Sequence, residues 1–243
     1  MPTRPAARRG RRLVLAALLA LAAGCPERSE DRLAEARALQ DVGRFADSIE
    51  PLRDLVAREP ELAEAWHLLG SALVQTGQPS LAVFPLEKAR AAPEHRVAAG
   101  LLLASTYLRL QAYDEAIRSA DDVLAADPER SSARRVRALA LLGANRPEPA
   151  LLDAQQLHEA APDDYEATLL YGTVLAELGR LEEAERVHAA LEDAAGGDPA
   201  TVTRACLAHA SFLADALHDE ARAEARLRGC LERAPTDPLA LRL

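Results

Sequence analysis

Apolar residues recur along this chain at helical spacing, and the runs come in pairs. The clearest pair lies in Ala63–Pro93, which reads AEAWHLLGSALVQTGQPSLAVFPLEKARAAP. Trp66, Leu69, Gly70 and Leu73 stand at i, i+3, i+4 and i+7, one face of an amphipathic helix. Gly77 and Pro79 break that helix. Ala82, Leu86 and Ala89 mark a second periodic run, closed by Pro93. Closing prolines recur at Pro60, Pro93, Pro128, Pro162 and Pro235, at intervals of 33, 35, 34 and then 73 residues, the last spanning two units. Nothing alternates with period two for long, so strands are not expected. The pattern predicts an all-α chain of six helix–turn–helix units: 29–62, 63–96, 97–130, 131–164, 165–203 and 204–237.

Small residues repeat in the same register. Gly70, Ala104, Ala138, Gly172 and Ser211 fall where the two helices of a unit should cross most closely. Ala82, Ala116, Ala150, Ala184 and Ala223 open the second helices and face that contact. Trp66 is not repeated. Its equivalents are Arg32, Gly100, Arg134, Thr168 and Leu207, which points to local packing and not to a shared contact with a ligand. Pro51 and Pro85 lie inside predicted second helices, where proline removes a backbone bond and is expected to kink the helix or delay its start. Pro147 and Pro149 sit at a helix start, where proline is tolerated. Gly196-Gly197-Asp198-Pro199 replaces the single closing proline between units five and six. There Asp198 is suited to cap a longer first helix beginning at Pro199, and the glycine pair is the expected flexible joint.

The order W-x2-L-G-x2-apolar, A-x3-apolar, P in Trp66–Pro93 resembles the tetratricopeptide repeat, a unit of about 34 residues. The resemblance implies a right-handed superhelical solenoid whose first helices line a concave, peptide-holding wall. In the family's register that wall takes His67, Ser71, Leu101, Ser105, Leu108, Arg109, Arg135, Leu139, Leu142, Leu169 and Thr173. Chaperone-binding members carry a Lys and Asn clamp for a terminal carboxylate. It is absent here, where Lys88 is the only lysine. An aliphatic wall flanked by Arg109 and Arg135 suits an amphipathic helix or extended apolar segment with an acidic group nearby. For each of these leucines, membership of the core between repeats stays open as the alternative. Such arrays usually end in a polar capping helix. Residues 238–243 begin a further helix and stop, so the end is expected to be partly open to a partner or a second copy.

Composition fits this picture. Apolar residues make up 49% of the chain but aromatics only 3%, so the core must be built of Ala and Leu in closely packed helices. The first 24 residues stand apart. They hold five arginines and no acid, and then the eleven-residue apolar run Leu13–Ala23. That run is too short to span a bilayer, which takes about 20 residues, and suits the core of an export signal. Leu21-Ala22-Ala23-Gly24-Cys25 resembles the lipobox of bacterial lipoproteins. The resemblance implies cleavage after residue 24, lipidation of Cys25 and a short tether over 25–30. A plain cleaved signal with an incidental cysteine is the alternative. Pro26 stands where that family's inner-membrane retention signal places Asp, which implies the periplasmic face of the outer membrane. Ser29 is expected to cap the first helix, with Glu30 and Asp31 in its first turn. At about 3.5 Å per residue, the tether keeps the first unit close to the lipid.

After residue 24 the chain carries 24 bases against 38 acids, a balance of −14. That argues against nucleic acid, whose binding needs a basic face. Of the six histidines, His67 and His209 fall on first helices, His158 and His188 on second helices, and His95 and His218 near turns. They are expected at scattered surface or groove positions, with His67 the best functional candidate. No HExxH, phosphate-cradling glycine loop or GxSxG occurs. Asp121-Asp122, Asp163-Asp164 and Glu182-Glu183 read as helix-face and helix-start charge, not as a catalytic dyad. No cofactor or metal is implied. Cys206 and Cys230 fall on the two antiparallel helices of unit six. They are expected as two small buried residues, with a disulfide as the alternative that an exporting compartment permits. The sequence thus predicts a non-enzymatic, lipid-anchored scaffold for a protein or peptide partner in the bacterial envelope. Its layout is similar to the pilotins of type IV pilus secretins, and equally to the repeat-rich lipoprotein of the outer-membrane insertion machine. A self-associating structural component is the alternative.

Overall fold

The computed structural model describes residues 29–195 and 198–233. The expected export signal, Cys25 with its expected tether as far as residue 28, the Gly196-Gly197 pair expected as a joint, and the segment from residue 234, with Pro235 and the expected start of a terminal helix, lie outside the described residues. The described residues form twelve helices and no strand. In order these are α1 (Ser29–Asp41), α2 (Phe45–Arg58), α3 (Ala63–Gln75), α4 (Pro79–Arg90), α5 (Arg96–Arg109), α6 (Tyr113–Ala126), α7 (Ser131–Gly143), α8 (Pro147–Ala160), α9 (Tyr165–Glu177), α10 (Leu181–Ala194), α11 (Pro199–Asp215) and α12 (Glu220–Arg233). They pack as six antiparallel pairs, each stacked on the next.

The turn inside each unit is a left-handed residue. Gly43, Gly77, Gln111, Asn145 and Gly179, spaced by 34 residues, have φ of 78°, 76°, 58°, 57° and 71°. The amide that follows each one closes the first helix: Gln78 N to Leu73 O, Ala112 N to Tyr107 O and Arg180 N to Leu175 O are 2.8, 2.9 and 2.9 Å. Glycine meets this need at no steric cost; Gln111 and Asn145 hold it because the helices around them leave no other course.

Unit six departs from this turn by one residue. His218 carries the positive φ, and Asp219 N reaches Leu213 O across six residues. The register of α11 against α12 therefore slips by one. Ala210 is buried at the helix crossing, and Ser211, expected there, is exposed. The counterpart of Trp66 in this unit is by the same slip Cys206, not Leu207. Two smaller expectations are corrected as well. Ser29 is the first residue of α1, and its hydroxyl donates to Glu59 instead of capping. Pro51 and Pro85 interrupt neither α2 nor α4, each costing one backbone bond within a continuous helix. Asp198 does cap α11, accepting from Thr201 N at 2.9 Å, and Pro199 opens that 17-residue helix.

The small residues set how closely the helices approach. Ala82, Ala104, Ala116, Ala138, Ala150 and Ala184 are 0% exposed and Ala223 is 6%. A Cβ on Gly70 would lie 2.5 Å from Leu86 Cδ2, and one on Gly172 would lie 3.1 Å from His188 Nε2. Trp66 is a packing residue: its indole donates to Pro60 O at 2.8 Å and meets Phe84 edge-on at 5.5 Å. We expect Ala116→Leu and Gly172→Leu each to cost about 1–3 kcal/mol through overpacking. Glu115→Ala, which removes an exposed pair with Arg118, should leave the melting temperature unchanged. Equal melting temperatures for all three variants would contradict this packing.

Arg137 holds a buried carboxylate within unit four and ties that unit to unit three through a more exposed one. Arg137 of α7 donates from Nε and Nη2 to both oxygens of Asp153 on α8, each at 2.7 Å, and from Nη1 to Asp121 of α6 at 2.6 Å. Asp153 is 1% exposed. The two parallel bonds from one guanidinium make this carboxylate tolerable inside the stack.

Candidate functional site

Each first helix packs on the first helix of the next unit, and no two second helices pack to that extent among the described residues. The odd-numbered helices thus form the inner layer and the even-numbered ones the outer. Of the wall positions, Arg109 and Leu139 are exposed. His67, Ser71, Leu101, Ser105, Leu108, Arg135, Leu142, Leu169 and Thr173 are half-buried. Leu101 and Leu108 pack on the Ala104, Ala120 and Val136 cluster, and Leu108 and Leu142 on the cluster around Leu141 and Leu170. Those three leucines serve core and wall together.

The polar groups of the wall are mostly engaged. Ser105 and Thr173 donate to Leu101 O and Leu169 O, one turn back on their own helices, at 3.0 and 2.9 Å. Arg135 Nη2 donates to Asp164 at 2.7 Å. Asp164 in turn caps α9, accepting from Glu166 N and Ala167 N at 2.9 and 3.1 Å. Partial burial alone would raise its carboxyl, yet the Ala167 amide, the Arg135 guanidinium and the Glu166 amide hold it below the usual range. Arg109 makes no ion pair among the described residues. The wall therefore offers aliphatic surface centred on Leu139, with one guanidinium at its edge.

His67 is less available than its position implied. Its ring stacks on His95 at 5.7 Å, and its Nδ1 is buried without a partner. Burial, then the neighbouring His95, lower its pKa, so it stays neutral. Where Gly100 replaces the Trp66 of the previous unit, a cleft of about 640 Å³ opens between α4, α5 and α6. Its charges are Glu87, Arg90, Arg96 and Asp122, with Arg90 bridging Glu87 and Asp122.

The largest departure from expectation lies at the far end. His188 and His209 are 3% and 1% exposed, not scattered over the surface or groove. His188 stacks on Phe212 at 4.9 Å and on His209 at 6.2 Å. Burial, then the adjacent His209, push its pKa down to about 4. His209 Nδ1 donates to Glu192 at 2.9 Å, since a carboxylate can only accept. Glu192 also takes Arg226 Nη1 at 3.4 Å and Arg233 from α12. Beside them Cys206 and Cys230 are joined in a disulfide, Cα–Cα 6.0 Å, where two unbonded buried cysteines were expected. Sequence pattern missed this cluster because Glu192 and His209 lie 17 residues apart on different helices. The usable signal was the short spacing of Cys206 from His209 and of Arg226 from Cys230 on single helix faces.

Family models match residues 33–95, 101–164 and 142–199 to the tetratricopeptide repeat. The chain belongs to the tetratricopeptide repeat family. Solved structures agree on the fold. A tetratricopeptide repeat protein from Parabacteroides merdae superimposes with a TM-score of 0.73 at 18% identity, covering 87% of this chain and 82% of that one. The pilF protein of Pseudomonas aeruginosa gives 0.61 at 16% identity, covering 88% and 95%. YrrB, described as a tetratricopeptide repeat protein with an unusual peptide-binding site, gives 0.58 at 21% identity, covering 79% and 96%. No curated protein matches the sequence. Tetratricopeptide repeats are typically non-enzymatic scaffolds that bind protein or peptide partners.

Proposed function

We propose that this tetratricopeptide repeat protein is a lipid-anchored scaffold on the periplasmic face of a bacterial outer membrane. Its wall holds an amphipathic helix or extended apolar segment of a partner during assembly of an envelope complex. The observation that carries the binding part is the wall itself: Leu139 is exposed among half-buried Leu101, Leu108, Leu142 and Leu169, Arg109 is exposed on the same wall, and the Ser105 and Thr173 hydroxyls bond back to their own helices. The likeness to YrrB favours a peptide as occupant. The anchoring part rests on the Arg-rich start, the Leu13–Ala23 run and Cys25.

In-cell crosslinking followed by membrane fractionation tests both parts. The wild-type chain should appear in the outer-membrane fraction, crosslinked to one set of components. Leu139→Glu combined with Arg109→Glu should lose those crosslinks about tenfold or more and keep its helicity and its fraction. Undiminished crosslinks in the double variant would exclude the wall as the binding surface, and a wild-type chain free of membrane would exclude the anchor.

A further inference from the structure

We propose that the Cys206–Cys230 disulfide is a redox latch on α12, whose reduction frees that helix while the remainder of the solenoid stays folded. Helix α12 is the last of the described helices and packs on α11. It buries only Ala223 and Cys230, whereas α11 buries eight side chains. Apart from Ala223 and the partly buried Leu227, its attachments are few. Arg222 reaches Glu185, and Arg226 and Arg233 reach the buried Glu192. All three arginines are 43–48% exposed, so water competes for each. Unlike these ion pairs, the covalent bond is not exchanged for water.

The geometry also makes the bond open in a preferred direction. Arg233 Nη2 lies 2.9 Å from Cys206 Sγ. Glu192 Oε1 lies 3.6 Å from the same sulfur and opposes a thiolate there, but that carboxylate is paired with both Arg226 and Arg233, so the nearer guanidinium makes Cys206 the better leaving group. A dithiol reductant acts in two steps. One thiolate attacks Cys230 Sγ, the S–S bond breaks, and its electron pair goes to Cys206 Sγ. The reagent's second thiolate then attacks the mixed disulfide and releases Cys230. Two electrons leave the dithiol, which becomes a cyclic disulfide, and its two protons end on the cysteine sulfurs. Both sulfurs are buried, so the reagent gains access by fraying of the last turn around Arg233. Once free, α12 uncovers Glu192, His209 and Leu213 and changes the end that the solenoid presents.

Hydrogen exchange on the full chain, with and without dithiothreitol, reads the latch directly. Alkylation and peptide mapping would report Cys206 and Cys230 separately from Cys25. A crosslink closing a loop of 24 residues shifts an opening equilibrium by roughly three-hundredfold in the chain-entropy model. Peptides from 220–233 should therefore exchange a few hundredfold faster after reduction, and those from 29–177 should not change. Cys206→Ala with Cys230→Ala should reproduce the fast exchange without reductant and show no further response to it. Unchanged protection of 220–233 with both thiols free would overturn the proposal. So would equal acceleration along the whole chain, or two free thiols before reduction.

Discussion

Replacing Glu192 by Ala should destabilise the last two units by about 3 kcal/mol, the low end of the range for breaking a buried ion pair. The low end applies because Arg226 and Arg233 are 43% and 44% exposed and can turn to water once the carboxylate is gone. His209, 1% exposed, cannot, and its Nδ1 would join Nε2 as a buried polar atom without a partner. Solenoid stability is a sum of local terms. The effect should therefore appear as early melting of α9–α12, with the α1–α6 region unchanged, when unfolding is followed by hydrogen exchange. Glu183→Ala, on the same helix α10 as Glu192, is the control: it removes an exposed pair with Arg180, just before that helix, and should leave the profile unaltered. Identical profiles for the two variants would mean that Glu192 holds nothing together.

Acid should weaken the same region. The His188 pKa is about 4 in the folded chain against an ordinary 6.5. Between those values the unfolded chain binds the extra proton and the folded chain does not, so stability rises with pH across the window. The contribution is fully present above about pH 6.5 and lost as pH falls toward 4. It amounts to about 3 kcal/mol at 1.36 kcal/mol per pH unit. Its cause is burial against Phe212, and then the neighbouring His209, with the His188 Nδ1 unpartnered. Comparing wild type with His188→Phe removes the background of surface carboxylates, which titrate alike in both. The wild-type melting temperature should fall more steeply from pH 7 to pH 5 than that of the variant. Parallel curves would show that His188 is not the titrating group.

The wall was legible in the sequence as a set of positions, but not as a set of available groups. Family register placed Leu139 and Arg109 as well as Ser105 and Arg135 on first helices. Only side-chain partners separate them: the Ser105 hydroxyl returns to Leu101 O, Arg135 is held by Asp164, and Leu139 has no such neighbour. Leu108 and Leu142 show the same limit, because a half-buried leucine serves core and surface at once. His67 stood out by its position beside Trp66, but burial, and then the His95 ring stacked on it, lower its pKa.

The sequence by itself determined the repeat. Period 34, the closing prolines and the small residues at the crossings are local demands, met by one residue type at one spacing, so they can be read along the chain. The tertiary structure alone decided what happens where the repeat is broken. A one-residue longer turn at His218 slips α11 against α12, puts Ala210 instead of Ser211 at the crossing, and brings Cys206 to Cys230. Glu192 from α10, His209 from α11 and Arg226 and Arg233 from α12 then meet in one buried cluster. Each of these residues is unremarkable on its own helix. Their burial and their charges are set by neighbours up to 41 residues away, which no period in the sequence encodes.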